Sequence, residues 1–161
     1  TPEACRTPET LARALALFGE HYAAHKADKT APYPGIAQLL QHLQAAGVRY
    51  GVVTNKDHAA AVGVLQHYFG SLVPHVQGRI DALPPKPAPD TTHLLMKTLG
   101  AAPETTLFVG DSNVDIATAK AAGLASCGVL WGFRTLGELQ QAGADHIAET
   151  PAALQALILG Q

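Results

Sequence analysis

Apolar residues recur along this chain at two spacings, and the alternation between them predicts the fold. Leu11, Leu15 and Phe18 lie three or four residues apart, so the stretch 8–27 is predicted to be an amphipathic helix. Later in the chain come short continuous apolar runs with the length of strands, at 48–54, 106–109, 126–130 and 146–147. Continuous runs are typical of strands buried on both faces of a parallel sheet.

Helical periodicity fills the intervals between these runs. Helices are predicted to end at Gly47, Gly100 and Gly123, and a last helix to begin at Thr150 as N-cap with Pro151 at its first position. Strands that alternate with helices indicate a parallel sheet with helices on both faces. The predicted fold class is therefore α/β, a doubly wound parallel sheet.

Composition argues against some classes of function but does not identify one. The 161 residues are 47% apolar and 15% charged, which fits one domain with a packed core. A formal charge of −2 without a basic stripe argues against nucleic-acid binding. No apolar run reaches the ~18–20 residues of a membrane span, and the first residues are polar, so a cytoplasmic protein is expected. Cys5 and Cys127 have no metal or redox spacing, and each is read as a small buried side chain or an unpaired thiol.

Polar residues follow the predicted strands where ligands bind in open parallel sheets, beyond the carboxyl ends. Thr54 ends the first run and Asn55 follows it, Asp111 and Asp115 follow the run at 106–109, and Lys86 lies between them in a proline-rich loop. We expect Thr54, Lys86 and Asp111 to converge at one edge of the sheet. Each signal taken alone has a simpler interpretation as a turn, a solvated loop lysine or a helix cap.

Together these residue types suit phosphoryl chemistry. The Thr54 hydroxyl and nearby backbone amides can hold a phosphate oxygen, and Lys86 can offset the charge of a transferring group. Asp111 is a hard oxygen ligand suited to Mg²⁺. Asp115 lies one helical turn further on and could hold a metal-bound water or orient Lys86. The loop is expected to be exposed, so replacing Lys86 should change stability by less than about 0.5 kcal/mol.

Three motifs resemble those of the haloacid dehalogenase (HAD) superfamily. Residues 54–56 (TNK), 86–89 (KPAP) and 110–115 (GDSNVD) resemble its second, third and fourth motifs. Residues 120–123, 131–133 and 137–147 look like phosphoglycolate phosphatases. The resemblance implies a Rossmann-like HAD core over 32–161 and the C-terminal part of a helical cap over 1–31.

The resemblance also implies Mg²⁺-dependent hydrolysis of a small phosphate monoester, phosphoglycolate-like, through an aspartyl-phosphate. Thr54 and the Asn55 backbone would hold the phosphate, and Lys86 would bridge the nucleophile and the phosphate charge. Asp111 would ligate Mg²⁺, and Asp115 would support the metal site without ligating the ion directly. The partner would be a small phosphorylated metabolite, with no nucleic acid and no membrane.

One departure concerns the first motif of the family, which places two aspartates after the first, central strand. This chain contains no Asp-x-Asp sequence. The core is therefore expected to lack its first strand and the chain alone to be inactive, with a missing N-terminal segment or another chain filling the sheet. Two alternatives stay open: another HAD enzyme (a sugar-phosphate phosphatase or a β-phosphoglucomutase-like protein), or a non-catalytic α/β module such as a receiver-like domain.

Overall fold

The computed structural model describes residues 7–25 and 30–160. The chain divides into two compact units, Thr1–Ala31 and Pro32–Gln161. Cys5 and residues 26–29 lie outside the described residues. No helix among the described residues is long and apolar enough to cross a membrane.

Over its described residues the first unit contains one long helix, α1 (Pro8–His25), which confirms the predicted helix as far as His25. The Thr7 hydroxyl accepts a hydrogen bond from the Thr10 amide (3.2 Å), and Pro8 occupies the first turn, where its missing N–H costs nothing. The apolar side chains Leu11, Leu15 and Phe18 are more than half exposed.

The second unit alternates helices and strands, as the periodicity predicts. In chain order the elements are α2 (Ile36–Ala45), β1 (Val52–Asp57), α3 (His58–Phe69), β2 (Val76–Arg79), α4 (Asp90–Leu99), β3 (Leu107–Gly110), α5 (Asn113–Ala121), β4 (Ala125–Val129), α6 (Leu136–Ala142), β5 (His146–Ala148) and α7 (Pro151–Leu159). The α/β class is confirmed. β2 has no counterpart in the sequence prediction.

All strand pairs are parallel, but they form two sheets. β1 pairs with β2, while β3, β4 and β5 form a second sheet in that order. Among the described residues β1 and β3 do not pair with each other. Four of the five β4 residues are buried, whereas β1 and β3 are only partly buried. The expectation of strands buried on both faces therefore holds for β4 and is wrong for β1 and β3.

The first strand is displaced from its predicted position at 48–54. Gly47 (φ +73°) and Val48 close α2, because their amides donate to the Gln44 and Leu43 carbonyls (3.0 and 2.9 Å). β1 begins only at Val52 and runs on to Asp57. Thr54 and Asn55 therefore lie in the middle of the strand rather than after it.

The main core lies between β4 and the helices α2 and α7. Its buried residues are Leu39, Leu43, Cys127, Val129, Ala148 and Leu154. Burial raises the pKa of the Cys127 thiol and favours its neutral form. Cys127 is thus the small buried side chain that the sequence predicts.

The start of β5 is fixed to β4 by Asp145. Its Oδ2 accepts hydrogen bonds from the Ser126 hydroxyl (2.6 Å) and amide (2.8 Å), and its own amide donates to Ser126 Oγ (3.0 Å). The hydroxyl and then the amide of Ser126 hold the pKa of Asp145 below its usual value. This contact stabilises the register at the sheet that carries Asp111.

Candidate active site

Lys86 lies at the centre of the candidate site, beside β1 and the start of α5. Its Nζ donates to Asp115 Oδ1 (2.6 Å) and to the Val53 carbonyl (3.3 Å), and lies 5.9 Å from the centre of the Phe108 ring. The Lys86 and Asp115 side chains are only 13% and 9% exposed. The expectation of an exposed loop lysine is therefore wrong, because the ammonium pairs with the buried Asp115 carboxylate in the first turn of α5.

Asn55 holds the backbone of Lys86 through its side chain. The Asn55 Nδ2 donates to the Lys86 carbonyl (3.0 Å), and the Lys86 amide donates to Asn55 Oδ1 (2.8 Å). These two hydrogen bonds run in opposite directions and hold the Lys86 backbone against the Asn55 side chain. Next to it, Thr54 Oγ1 accepts from the Lys56 amide (3.2 Å) and keeps its own proton for a second partner.

Asp115 combines two of the roles considered for it. Ser112 is the N-cap of α5, and Asp115 Oδ2 accepts from the Ser112 amide (3.1 Å) and hydroxyl (2.6 Å) in a capping box. Its other oxygen receives Lys86. Both carboxylate oxygens are thereby engaged, so Asp115 orients Lys86 instead of presenting a free oxygen. A Cβ on Gly110 would overlap this side chain, which explains a glycine at the end of β3.

Asp111 is the second carboxylate at this edge and does not cap α5. Its Oδ2 accepts a hydrogen bond from the Phe133 amide (3.0 Å). A Cβ on Gly132 would overlap the Asp111 side chain, so the loop after β4 approaches the carboxylate as closely as a backbone can. Asp111 is partly exposed and keeps Oδ1 for another partner.

The residues present fit a weakly held Mg²⁺. Mg²⁺ prefers oxygen ligands, keeps several of its waters and needs only one or two protein carboxylates, and Asp111 Oδ1 offers one. Within residues 7–25 and 30–160 there is no cluster of three or more His, Cys, Asp or Glu residues that would make a closed metal cage.

Two surface cavities, of about 350 and 460 Å³, lie elsewhere on the second unit. The first is lined by residues such as Arg49 and Tyr50, and the second by residues such as His58 and Val62. None of the candidate residues lines either cavity.

Lys86 contacts Val53, Asn55 and Asp115, which connects β1 to the start of α5, and Asp111 follows the end of β3. The convergence of Thr54, Lys86 and Asp111 at one edge of the sheet stays a prediction. Sequence reasoning did not find four further contributions: the Asn55 side chain, Gly110, Gly132 and the Phe133 amide. The sequence carries one signal for these close contacts, which is the presence of glycine at position 110, next to Asp111, and at position 132.

Comparison with known proteins shows the family. Residues 4–123 match the haloacid dehalogenase-like hydrolases, a stretch that includes β1, Lys86 and both aspartates of the site. The chain belongs to the haloacid dehalogenase-like hydrolase family. The resemblance stated from the three motifs is confirmed.

Relatives within this family carry a more specific name. The chain is 37% identical over 122 residues to the phosphoglycolate phosphatase of Escherichia coli K12, covering 73% of this chain and 47% of the relative. It is 35% identical over 159 residues to that of Rhodospirillum rubrum, covering 86% and 66%. The chain thus spans about half to two thirds of the length of these relatives.

The solved structures agree with the fold. A candidate phosphoglycolate phosphatase from Lactobacillus delbrueckii subsp. bulgaricus superposes with a TM-score of 0.89 at 36% identity, covering 99% of this chain and 66% of that one. The HAD-like, Rossmann-like core is therefore confirmed.

Proposed function

We propose that the protein carrying this chain is a phosphatase that hydrolyses a small phosphate monoester of the phosphoglycolate type. The observation that carries the proposal is the Lys86 ammonium, held between Val53 and Asp115 (3.3 and 2.6 Å) close to the end of β3. A fixed positive charge at a strand end costs no reorganisation when negative charge develops on a phosphoryl group. The identity to phosphoglycolate phosphatases supports the substrate class.

Each residue of the site has a role in this reaction. The Thr54 hydroxyl and the Asn55 backbone bind phosphate oxygens, while the Asn55 side chain keeps Lys86 in place. Lys86 directs its charge at the phosphate, and Asp115 orients Lys86. Because Asp115 is held by Ser112, the ammonium is fixed relative to the start of α5.

Asp111 is the residue that would hold Mg²⁺. When bound, the ion would supply positive charge that neutralises phosphate oxygens. The Phe133 amide keeps Asp111 Oδ2 occupied, so Oδ1 is the oxygen available to a cation.

The nucleophile of the aspartyl-phosphate route is assigned to a further strand between β1 and β3. The chain has no Asp-x-Asp sequence, and β1 and β3, which do not pair with each other among the described residues, each have one edge available for pairing. Such a strand would come from a longer form of this protein or from another chain. Without it the chain is expected to show no turnover, because covalent catalysis needs a carboxylate in line with phosphorus.

The proposed function is tested by phosphate release from a panel of monoesters. The panel holds 2-phosphoglycolate, glucose 6-phosphate, β-glucose 1-phosphate and p-nitrophenyl phosphate, and the protein is the natural-length gene product. We expect 2-phosphoglycolate to give the highest kcat/KM, and chelation by EDTA to abolish the rate until Mg²⁺ is restored. A sugar phosphate as best substrate would assign the protein to another branch of the family. No release from any ester would overturn the proposal.

A further inference from the structure

The loop of residues 131–134, which joins β4 to α6, crosses directly over Asp111. The Phe133 amide donates to Asp111 Oδ2 at 3.0 Å, and Gly132 lies so close that a Cβ would overlap the carboxylate. Gly132 has no positive φ, so the need for glycine here is one of space and not of backbone conformation. Both contacts are made to the Asp111 side chain, which lies 22 residues before Phe133 in the sequence.

The 131–134 loop is anchored at both ends by contacts that do not involve Asp111. On one side Trp131 packs against the core cluster of β4, α2 and α7. On the other side Thr135 and Glu138 form the capping box of α6, and Arg134 pairs with Glu138 (3.3 Å). The position of the Phe133 amide is thereby set before any ligand arrives.

We infer that Gly132 and the Phe133 amide are positioning elements that orient the Asp111 carboxylate for a divalent cation. This inference rests on the proposed function, which places the cation at Asp111. A hydrogen bond to Oδ2 stops the carboxylate from rotating and leaves Oδ1 directed away from the loop. Backbone partners of a ligating carboxylate typically contribute 10–100-fold in metal affinity.

The Phe133 side chain provides a way to separate this role from packing. It is 86% exposed, so its ring contributes little to the core. Phe133→Ala removes the ring and keeps the amide, whereas Phe133→Pro removes the amide hydrogen. The residue before the proline is Gly132, which has no Cβ to clash with the proline ring.

A second pair of variants changes the space beside Asp111 instead of the hydrogen bond. Gly132→Ala places a methyl group against the carboxylate and should displace it. Gly137→Ala is the matched control, since a Cβ there would meet nothing within 4 Å. Both variants add one methyl group to the same region of the chain.

The experiment measures Mn²⁺ affinity by electron paramagnetic resonance on the natural-length protein, with thermal unfolding measured in parallel. Gly132→Ala and Phe133→Pro are each expected to raise the Mn²⁺ Kd about 10–100-fold. Gly137→Ala and Phe133→Ala should bind as the wild type does. Asp111→Asn should weaken binding at least as much as either loop variant.

The outcomes separate the inference from the proposed function. If Asp111→Asn binds Mn²⁺ as tightly as the wild type, the metal assignment of the proposed function fails. If Asp111→Asn loses binding while folded Gly132→Ala or Phe133→Pro retains it, only the positioning role is overturned. Unfolding of both loop variants would also overturn it, because the loop would then serve the fold rather than the carboxylate.

Discussion

Replacing Lys86 by methionine in the natural-length protein is expected to lower turnover about 10²–10³-fold and to destabilise the fold by roughly 2–4 kcal/mol. The catalytic loss follows from removing a fixed charge aimed at the phosphoryl group. The loss of stability follows because Asp115, 9% exposed, would keep its charge without its partner. Hydrogen bonds from Ser112 still reach that carboxylate, which limits the cost.

A double variant distinguishes the loss of turnover from the loss of stability. Adding Asp115→Asn to Lys86→Met removes the uncompensated charge, so we expect at least about 1 kcal/mol of stability to return while turnover stays low. Lys97→Met, at an exposed position of α4, is the matched control and should change neither quantity. Urea unfolding and steady-state kinetics measure both. A Lys86→Met variant with near-normal turnover would show that this lysine is only a structural partner of Asp115.

Completion of the sheet between β1 and β3 is expected to stabilise the fold by at least about 5 kcal/mol relative to this chain alone. Each backbone hydrogen bond that a further strand adds contributes about 0.5–1.5 kcal/mol net, so several bonds along the two edges reach the lower end of the ~5–15 kcal/mol of a whole domain. Exposed apolar strand edges also favour aggregation. The proposed strand would provide partners for both edges.

Hydrogen exchange tests this expectation. Amides of Val52–Asp57 and Leu107–Gly110 should exchange far more slowly in the natural-length protein than in the isolated chain. Amides of β4, the central strand of the second sheet with four of its five residues buried, report global stability and serve as the internal reference. Equal protection of β1 and β3 in both proteins, or direct pairing of the two strands, would contradict the account.

The parts of the fold predicted from sequence are those with local causes. The last helix follows the prediction because the Thr150 hydroxyl accepts from the Ala153 amide (3.1 Å) and Pro151 fills the first turn. β2 was not predicted, since its four residues, VQGR, form no apolar run. That strand is defined by pairing with β1, in which Val52 lies opposite Val76, and such pairing has no local signature.

The candidate site also contains features with local causes and features that depend on residues distant in sequence. The types and order of Thr54, Lys86 and Asp111 could be read from the chain, because each belongs to a short motif. The burial of Lys86 could not, since it depends on Asp115, which lies 29 residues away in the first turn of α5. The contacts of Asn55 and Phe133 were missed for the same reason, as each joins segments that are distant in sequence.

The measurement that tests the central claim most directly is hydrolysis of 2-phosphoglycolate by the wild type, Asp111→Asn and Asp81→Asn across a Mg²⁺ titration. Asp81 lies in an exposed turn and provides the same change of charge away from the site. The account predicts that Asp111→Asn loses about 10²–10³-fold in turnover and needs more Mg²⁺ for half its maximal rate, while Asp81→Asn matches the wild type. Equal rates for all three proteins at limiting Mg²⁺ would contradict it.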